Sequence, residues 1–237
     1  MIGWWVGGLA CAVSAYVAPL PMAIGSLRCP LFPRLAGIGN AGHVALTFGG
    51  GPHPVATPRV LRLLDGAGVR ATFFVLGRAA EQYPGVVRSI VASGHEVGVQ
   101  GFELRSLLTR SPWATVTDLA WATEVIAGLA GAAPRWWRPP HGVATMVAVR
   151  AAVRLGLRPV WWSCQGRDRV AAANGHSVFQ AVDRRLAGGG TILLHDGDNA
   201  VAPGSWQAMY DALPAILGMC RARGYVVGPL REHGVTR

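Results

Sequence analysis

Lysine is absent from this chain. All 22 basic side chains are arginine, set against 12 acids, so the formal net charge is +10 over 237 residues. That surplus excludes an acidic, self-repelling surface and admits attraction to anionic polymers or headgroups. The arginines are scattered and form no basic run, so nothing marks a nucleic-acid-binding segment and no nucleic acid partner is expected. Arginine, alanine, glycine and valine rich together are also the product of a GC-rich genome. Cysteine is scarce: Cys11, Cys29, Cys164 and Cys220 are far apart and make no C-x-x-C pair, which speaks against a zinc knuckle or a disulfide framework. Charged residues are only 14% and hydrophobic residues 51%, which excludes a disordered chain and provides for a packed core.

Charge is missing altogether from residues 1–27. Ile2 to Ile24 is apolar or small almost throughout, about the length that spans a bilayer. Trp4 and Trp5 suit an interfacial belt, while Pro19 and Pro21 interrupt the far end. A basic n-region and a convincing small-residue cleavage site are both lacking, so residues 1–27 are expected to be a membrane anchor left uncleaved, the alternatives being a signal-like apolar segment or a buried first helix. A linker punctuated by proline and glycine, 28–42, is expected next, then one domain over 43–237.

Within that domain short β-like runs alternate with helical patterns. Strands are expected at His43–Phe48, Ala71–Leu76, Glu96–Val99, Arg135–Trp137, Arg158–Trp162, Thr191–Leu194 and Tyr225–Val227. Between them the pattern predicts a helix capped by Thr57, one over Ala79–Ser93 disturbed by Pro84, and one from Ser111-Pro112 to Gly131. Three more follow, over Val143–Leu155, Ser177–Leu186 and Ser205–Arg223. About seven βα units with short connections predict an α/β fold, a (β/α)7-type distorted TIM-like barrel of parallel strands. An open doubly wound sheet is the alternative. It is weakened because no G-x-G-x-x-G fingerprint follows the first strand. Trp136, Trp137, Trp161 and Trp162 fall inside strands and are expected in the core. Trp113 and Trp206, at helix starts, are candidates for lining a groove.

A barrel of this kind builds its site at the carboxyl ends of the strands. Those ends carry V-A-L-T-F-x-x-G-P-H-P from Val44, V-R-A-T-F-F-V-L-G from Val69, and G-H-E-V-G from Gly94. R-P-P-x-G follows from Arg138 and I-L-L-H-D from Ile192. In this order and spacing, from about His43 to Gly228, the chain resembles the polysaccharide deacetylase (NodB-homology) family. The resemblance implies a hydrolase fold of carbohydrate and cell-envelope metabolism that cleaves non-peptide carbon–nitrogen bonds. It also implies a partner that is an N-acetylated or anionic envelope polysaccharide.

The family holds a divalent metal such as zinc with one Asp and two His, and uses a second Asp as base. Mapped onto this chain, the ligands fall on Gly50, Gln100 and Leu104, and the base on Gly49. Glycine and leucine offer no donor atom and an amide is a poor zinc ligand, so no metal or other cofactor is expected. Other parts persist. The resemblance gives His195 the role of catalytic acid and Asp168 that of the carboxylate orienting it. Arg138 takes the role of the arginine that tethers the base, and Pro139, Pro140, Gly142 and Leu194 are the substrate-binding candidates. Gln165 stands where an Asp is usual and Arg169 where a Trp is usual. A replacement ligand set of His53, Glu103, His141 and Asp196 is conceivable, although Glu103 is one residue out of register with a lost ligand. Arg138 without its Asp partner must be solvated or paired otherwise, an anionic ligand being one possibility. The expected function is a hydrolytically impaired, glycan- or partner-binding protein, the alternative an active N-deacetylase. The resemblance implies an outward-facing domain at the cell envelope. Arg28 and Arg34 after the apolar segment would place it in the cytoplasm by the positive-inside rule.

Overall fold

A computed structural model of the chain describes residues 24–198 and 203–235. Its centre is a curled sheet of eight strands, every ladder of which is parallel. The strands are β1 (His43–Gly51), β2 (Thr72–Leu76), β3 (Glu96–Gly101), β4 (Trp136–Trp137), β5 (Arg158–Pro159), β6 (Cys164–Gln165), β7 (Thr191–His195) and β8 (Val226–Gly228). Their order is β5-β4-β3-β2-β1-β7-β6, with β8 paired to β1. The helices are α1 (Gly25–Leu31), α2 (Ala56–Gly66), α3 (Gly77–Gln82), α4 (Pro84–Ala92), α5 (Pro112–Ala130), α6 (Met146–Arg154), α7 (Gly175–Asp183) and α8 (Trp206–Ala222). This is an α/β half-barrel of the distorted TIM-like kind, as the alternation of elements predicts.

Local chemistry explains the element ends. β1 and β2 are buried at every position, as strands covered on both faces must be. Ser111 caps α5 by accepting from Ala114 N–H at 3.2 Å, Pro112 opens the helix, and Gly131 at φ 68° stops it. The expected helix over Ala79–Ser93 is two helices, because the residue before Pro84 avoids helical angles: Tyr83 sits at φ −128°, ψ 56°. Thr57 lies inside α2 and does not cap it; its hydroxyl is engaged elsewhere. The four strand tryptophans largely meet the core expectation, with Trp136, Trp137 and Trp161 no more than 2% exposed and Trp162 half-buried.

Two expectations need correction. The segment 28–42, read as a linker, packs into the domain: Arg28 and Ala36 are buried, and Leu35 C=O accepts Trp161 N–H at 2.7 Å. Its prolines and glycines serve turns that fit the sheet rather than a free tether. The anchor expected over residues 1–27 lies outside the described residues except for its last four. Among the described residues no helix is long and apolar enough to cross a membrane.

The single strand expected over Arg158–Trp162 is instead the place where the sheet changes hands. β5 pairs with β4 and β6 pairs with β7, so the two edges of the sheet are consecutive in the chain and not paired with each other. Val160 N–H still donates to Trp137 C=O at 2.9 Å, whereas Ser163 N–H donates to Thr191 C=O at 3.1 Å. In between, three carbonyls have no ladder partner, and arginines serve them. Arg138 donates to Trp161 C=O at 2.7 Å and, more weakly, to Val160 C=O at 3.4 Å; Arg28 donates to Trp162 C=O at 2.7 Å. Arg138 also donates to Thr47 Oγ1 at 2.7 Å and lies 3.9 Å from the centre of the Phe74 ring. Trp162 stacks against both guanidiniums, at 4.8 Å from Arg28 and 5.7 Å from Arg138. Burial, and then the charge of Arg28, lower the Arg138 pKa. Guanidinium starts so high that the group keeps its charge.

Replacing Arg138 by leucine leaves buried carbonyls without donors, each worth about 1–3 kcal/mol. Arg138→Leu is expected to lower stability by on the order of 3 kcal/mol, read as a fall in the urea midpoint at unchanged slope. A midpoint equal to that of the parent protein would show that these bonds do not hold the seam.

Candidate functional site

The site lies where the ends of β1, β3 and β7 meet. Gly49 is paired in register with His195 on β7 and with Phe74 on β2, so the position where the resemblance places the base lies directly beside His195. A Cβ at Gly49 would meet nothing closer than Gln100 Oε1 at 3.5 Å, which is ordinary contact. Gly50 has φ +82°, a conformation that costs an L side chain about 1–2 kcal/mol. At Gly51 a Cβ would fall 2.5 Å from the Asp196 carboxylate, so that position admits no side chain at all.

Gln100 is buried, and its Oε1 accepts the Gly50 N–H at 2.8 Å. The side chain at one expected ligand position is thus bonded to the backbone of another. Leu104 sits half-buried in a cleft with Leu76, Arg78, Ala79 and Phe102. These residues do not fit a divalent cation: two glycines, an engaged amide and a leucine offer no anionic or imidazole donor. The conceivable replacement set does not assemble either, since among the described residues no group of three His, Cys, Asp or Glu is placed to hold a metal. His53 Nδ1 accepts from Val55 and Ala56 N–H at the start of α2, and its Nε2 lies 3.2 Å from Asp198. Glu103 is ion-paired with Arg78 and Arg105. His141 is exposed at φ 56°.

The Asp168–His195 pair is assembled. Asp168 Oδ1 lies 2.9 Å from His195 Nδ1, and its Oδ2 accepts the His195 backbone N–H at 2.6 Å. Both residues are buried, so one carboxylate fixes the ring's tautomer and the position of its backbone. This leaves Nε2 as the ring nitrogen that Asp168 does not engage. Arg138 lies beneath, one pleat from Gly49 along β1, through its bond to Thr47. Among the described residues no anion accompanies it: carbonyls, a hydroxyl and two aromatic rings surround it. Pro139, Pro140 and Gly142 are buried. Gly142 C=O accepts Trp161 Nε1–H at 2.6 Å, and φ +71° with Trp162 at 2.6 Å from a virtual Cβ makes glycine necessary there. Leu194 is fully buried beneath Gly166. Trp113 is exposed, whereas Trp206 is buried near the His53 ring and the Arg59 guanidinium.

Sequence reasoning missed the role of Thr57, whose hydroxyl donates to Asp196 Oδ2 at 2.6 Å while accepting His53 N–H at 2.8 Å. It also missed Arg28, for which no local signal exists, because its partner Trp162 is 134 residues away.

Fold and site together define a parallel half-barrel with a histidine–carboxylate pair at the strand ends. The polysaccharide deacetylase family profile matches residues 36–160. A chitooligosaccharide deacetylase of Azorhizobium caulinodans is 31% identical over 202 residues, covering 81% of this chain and 94% of its own. Among solved structures, a peptidoglycan N-acetylglucosamine deacetylase complex superimposes with a TM-score of 0.78 at 28% identity, covering 85% of this chain and 92% of that one. A mutant of a CE4-family pseudoenzyme with restored enzymatic activity superimposes at 0.74 and 25% identity, covering 82% of this chain and 68% of that one. The chain belongs to the polysaccharide deacetylase family.

Burial raises the Asp196 pKa to about 6, against the lowering effect of the Thr57 hydrogen bond. The folded state therefore holds a proton that the unfolded state releases near pH 4. This contribution to stability is complete below about pH 4 and is lost as pH rises through about 6. Buried His95 and His233, lowered to about 4 by desolvation, act oppositely over part of the same window. A difference measurement isolates the carboxyl: Asp196→Asn should gain stability relative to the parent protein between pH 4 and 6, by about 2–3 kcal/mol in full. Parallel stability curves for the two proteins across that range would refute this.

Proposed function

We propose that this protein is a hydrolytically impaired polysaccharide deacetylase that binds an N-acetylated envelope glycan at the ends of β1, β3 and β7. The observation that carries the reading is the 2.8 Å bond from Gly50 N–H to Gln100 Oε1. It leaves the Gln100 carbonyl oxygen committed to the backbone, at a place where the family holds a metal. Without a base at Gly49, proton abstraction from water loses about 10²–10⁴ in rate. Without an electrophile to stabilise the oxyanion, about 10²–10³ more is lost. The His195 ring, held by Asp168, is then a positioned hydrogen-bonding group for a bound sugar. The relatives named above act on chitooligosaccharide and peptidoglycan, which supports an acetylated glycan as the ligand. Under this reading the domain works at the outer face of the cell envelope, tethered by residues 1–27. A second reading, an active N-deacetylase, is favoured by the intact Asp168–His195 pair.

One assay decides between them. The wild-type protein, with zinc or cobalt added, is expected to release no acetate from chitooligosaccharide or peptidoglycan above background. The combined change Gly49→Asp, Gly50→Asp, Gln100→His and Leu104→His is expected to bind metal and release acetate. It is also expected to be less stable, because Gly50 is at φ +82°. The CE4-family pseudoenzyme mutant with restored activity supports this design. Stoichiometric acetate release by the unaltered protein would establish the second reading.

A further inference from the structure

A cleft of about 350 Å³ lies between the loop after β6 and α7, on the helix-facing side of the sheet. Its polar lining is Gln165, Arg167, Ser177, Gln180, Arg184 and Arg185, with no carboxylate among the lining residues. The three arginines are exposed, and among the described residues none of them forms an ion pair. The acids nearest in sequence are committed elsewhere: Asp183 pairs with Arg223 at 2.7 Å, and Asp168 is held by His195. Arg167 has φ +55°, an unusual conformation for a side chain of this size. It lets neighbouring residues serve different sites, Arg167 lining the cleft while Asp168 is buried against His195. Gln180 Oε1 accepts from Arg184 at 3.1 Å and steadies it across one helical turn. Gly166 lines the cleft where a Cβ would press on Leu194 and on Val178 of α7, the side of β7 away from the His195 ring.

We propose that this cleft binds the anionic substituent, carboxylate or phosphate, of an envelope glycan. The inference rests on the glycan-binding reading above and gives it a specificity. Guanidinium groups match planar carboxylate and phosphate oxygens with paired hydrogen bonds. Three like charges around one cleft repel each other when it is empty, and an anion relieves that repulsion. The volume falls at the lower end of small-ligand pockets, about 300–1,000 Å³.

The test uses the full chain and four probes in calorimetry. They are neutral chitohexaose, a hexasaccharide alternating N-acetylglucosamine with glucuronate, a glycerol phosphate oligomer, and a DNA hexanucleotide. The carboxylate and phosphate arms separate the two sources of charge. At least one anionic oligomer is expected to bind about tenfold tighter than chitohexaose, with the margin shrinking as salt rises. Arg184→Gln with Arg185→Gln, and separately Arg167→Gly, should each abolish most of that margin while leaving chitohexaose binding unchanged. Glycine suits the positive φ at 167, so that variant is expected to fold. A margin that survives both variants, or DNA bound as tightly as the anionic oligomers, overturns the proposal. Chitohexaose bound with no anionic margin overturns the cleft alone. Anionic oligomers bound through these arginines, with no binding of chitohexaose, sustain the cleft and overturn the glycan-binding reading of the site at the ends of β1, β3 and β7.

Discussion

The barrel depends on hydrogen bonds that no ladder supplies. Between Pro159 and Cys164 the chain leaves one edge of the sheet and joins the other, and a strand that switches partners strands its own carbonyls. A buried carbonyl without a donor costs about 1–3 kcal/mol, and three in a row would open the sheet to water. Arg138 and Arg28 reach those carbonyls from β4 and α1, with the Trp162 ring between them. Two guanidiniums buried this close repel each other. The carbonyl dipoles and ring faces offset that repulsion, as arginine's planar, weakly hydrated head allows. The segment before β1 is drawn into the domain for the same reason: it brings Arg28 and the Leu35 carbonyl to the seam.

This seam stands under the site. Arg138, which the family resemblance assigns to the base, here holds Trp161 and Thr47. With glycine at 49 no side chain from that position competes for it, and its partners among the described residues are carbonyls, a hydroxyl and aromatic rings. Around it, local bonds occupy the ends of β1 and β3. Gln100 satisfies the Gly50 N–H, and Asp196 fills the space over Gly51 with Thr57 to hold it. The arginine-lined cleft between the loop after β6 and α7 stays open.

Much of this was legible beforehand, and for identifiable reasons. Strands buried on both faces read as unbroken apolar runs, so β1, β2 and β7 and the alternation with helices could be seen directly. Caps and stops, such as Ser111-Pro112 and Gly131, are local chemistry. The loss of donor atoms at 49, 50 and 104 is visible in the letters. The partner switch at Val160–Ser163 was not, because a run of β-formers looks the same whichever neighbour each residue bonds. Nor was the packing of residues 28–42, where proline and glycine signal a turn without saying what the turn rests on.

The sequence by itself determined the fold class, the order of its elements and the chemistry each strand end can or cannot offer. These follow from side-chain type and short-range periodicity. Only the tertiary structure decided which groups meet. Asp168 grips His195 from 27 residues away, Gln100 bonds Gly50 across 50, and Arg28 reaches Trp162 across 134. Such pairings depend on the curl of the sheet, which brings distant strand ends within hydrogen-bonding distance, and no local pattern records that curl.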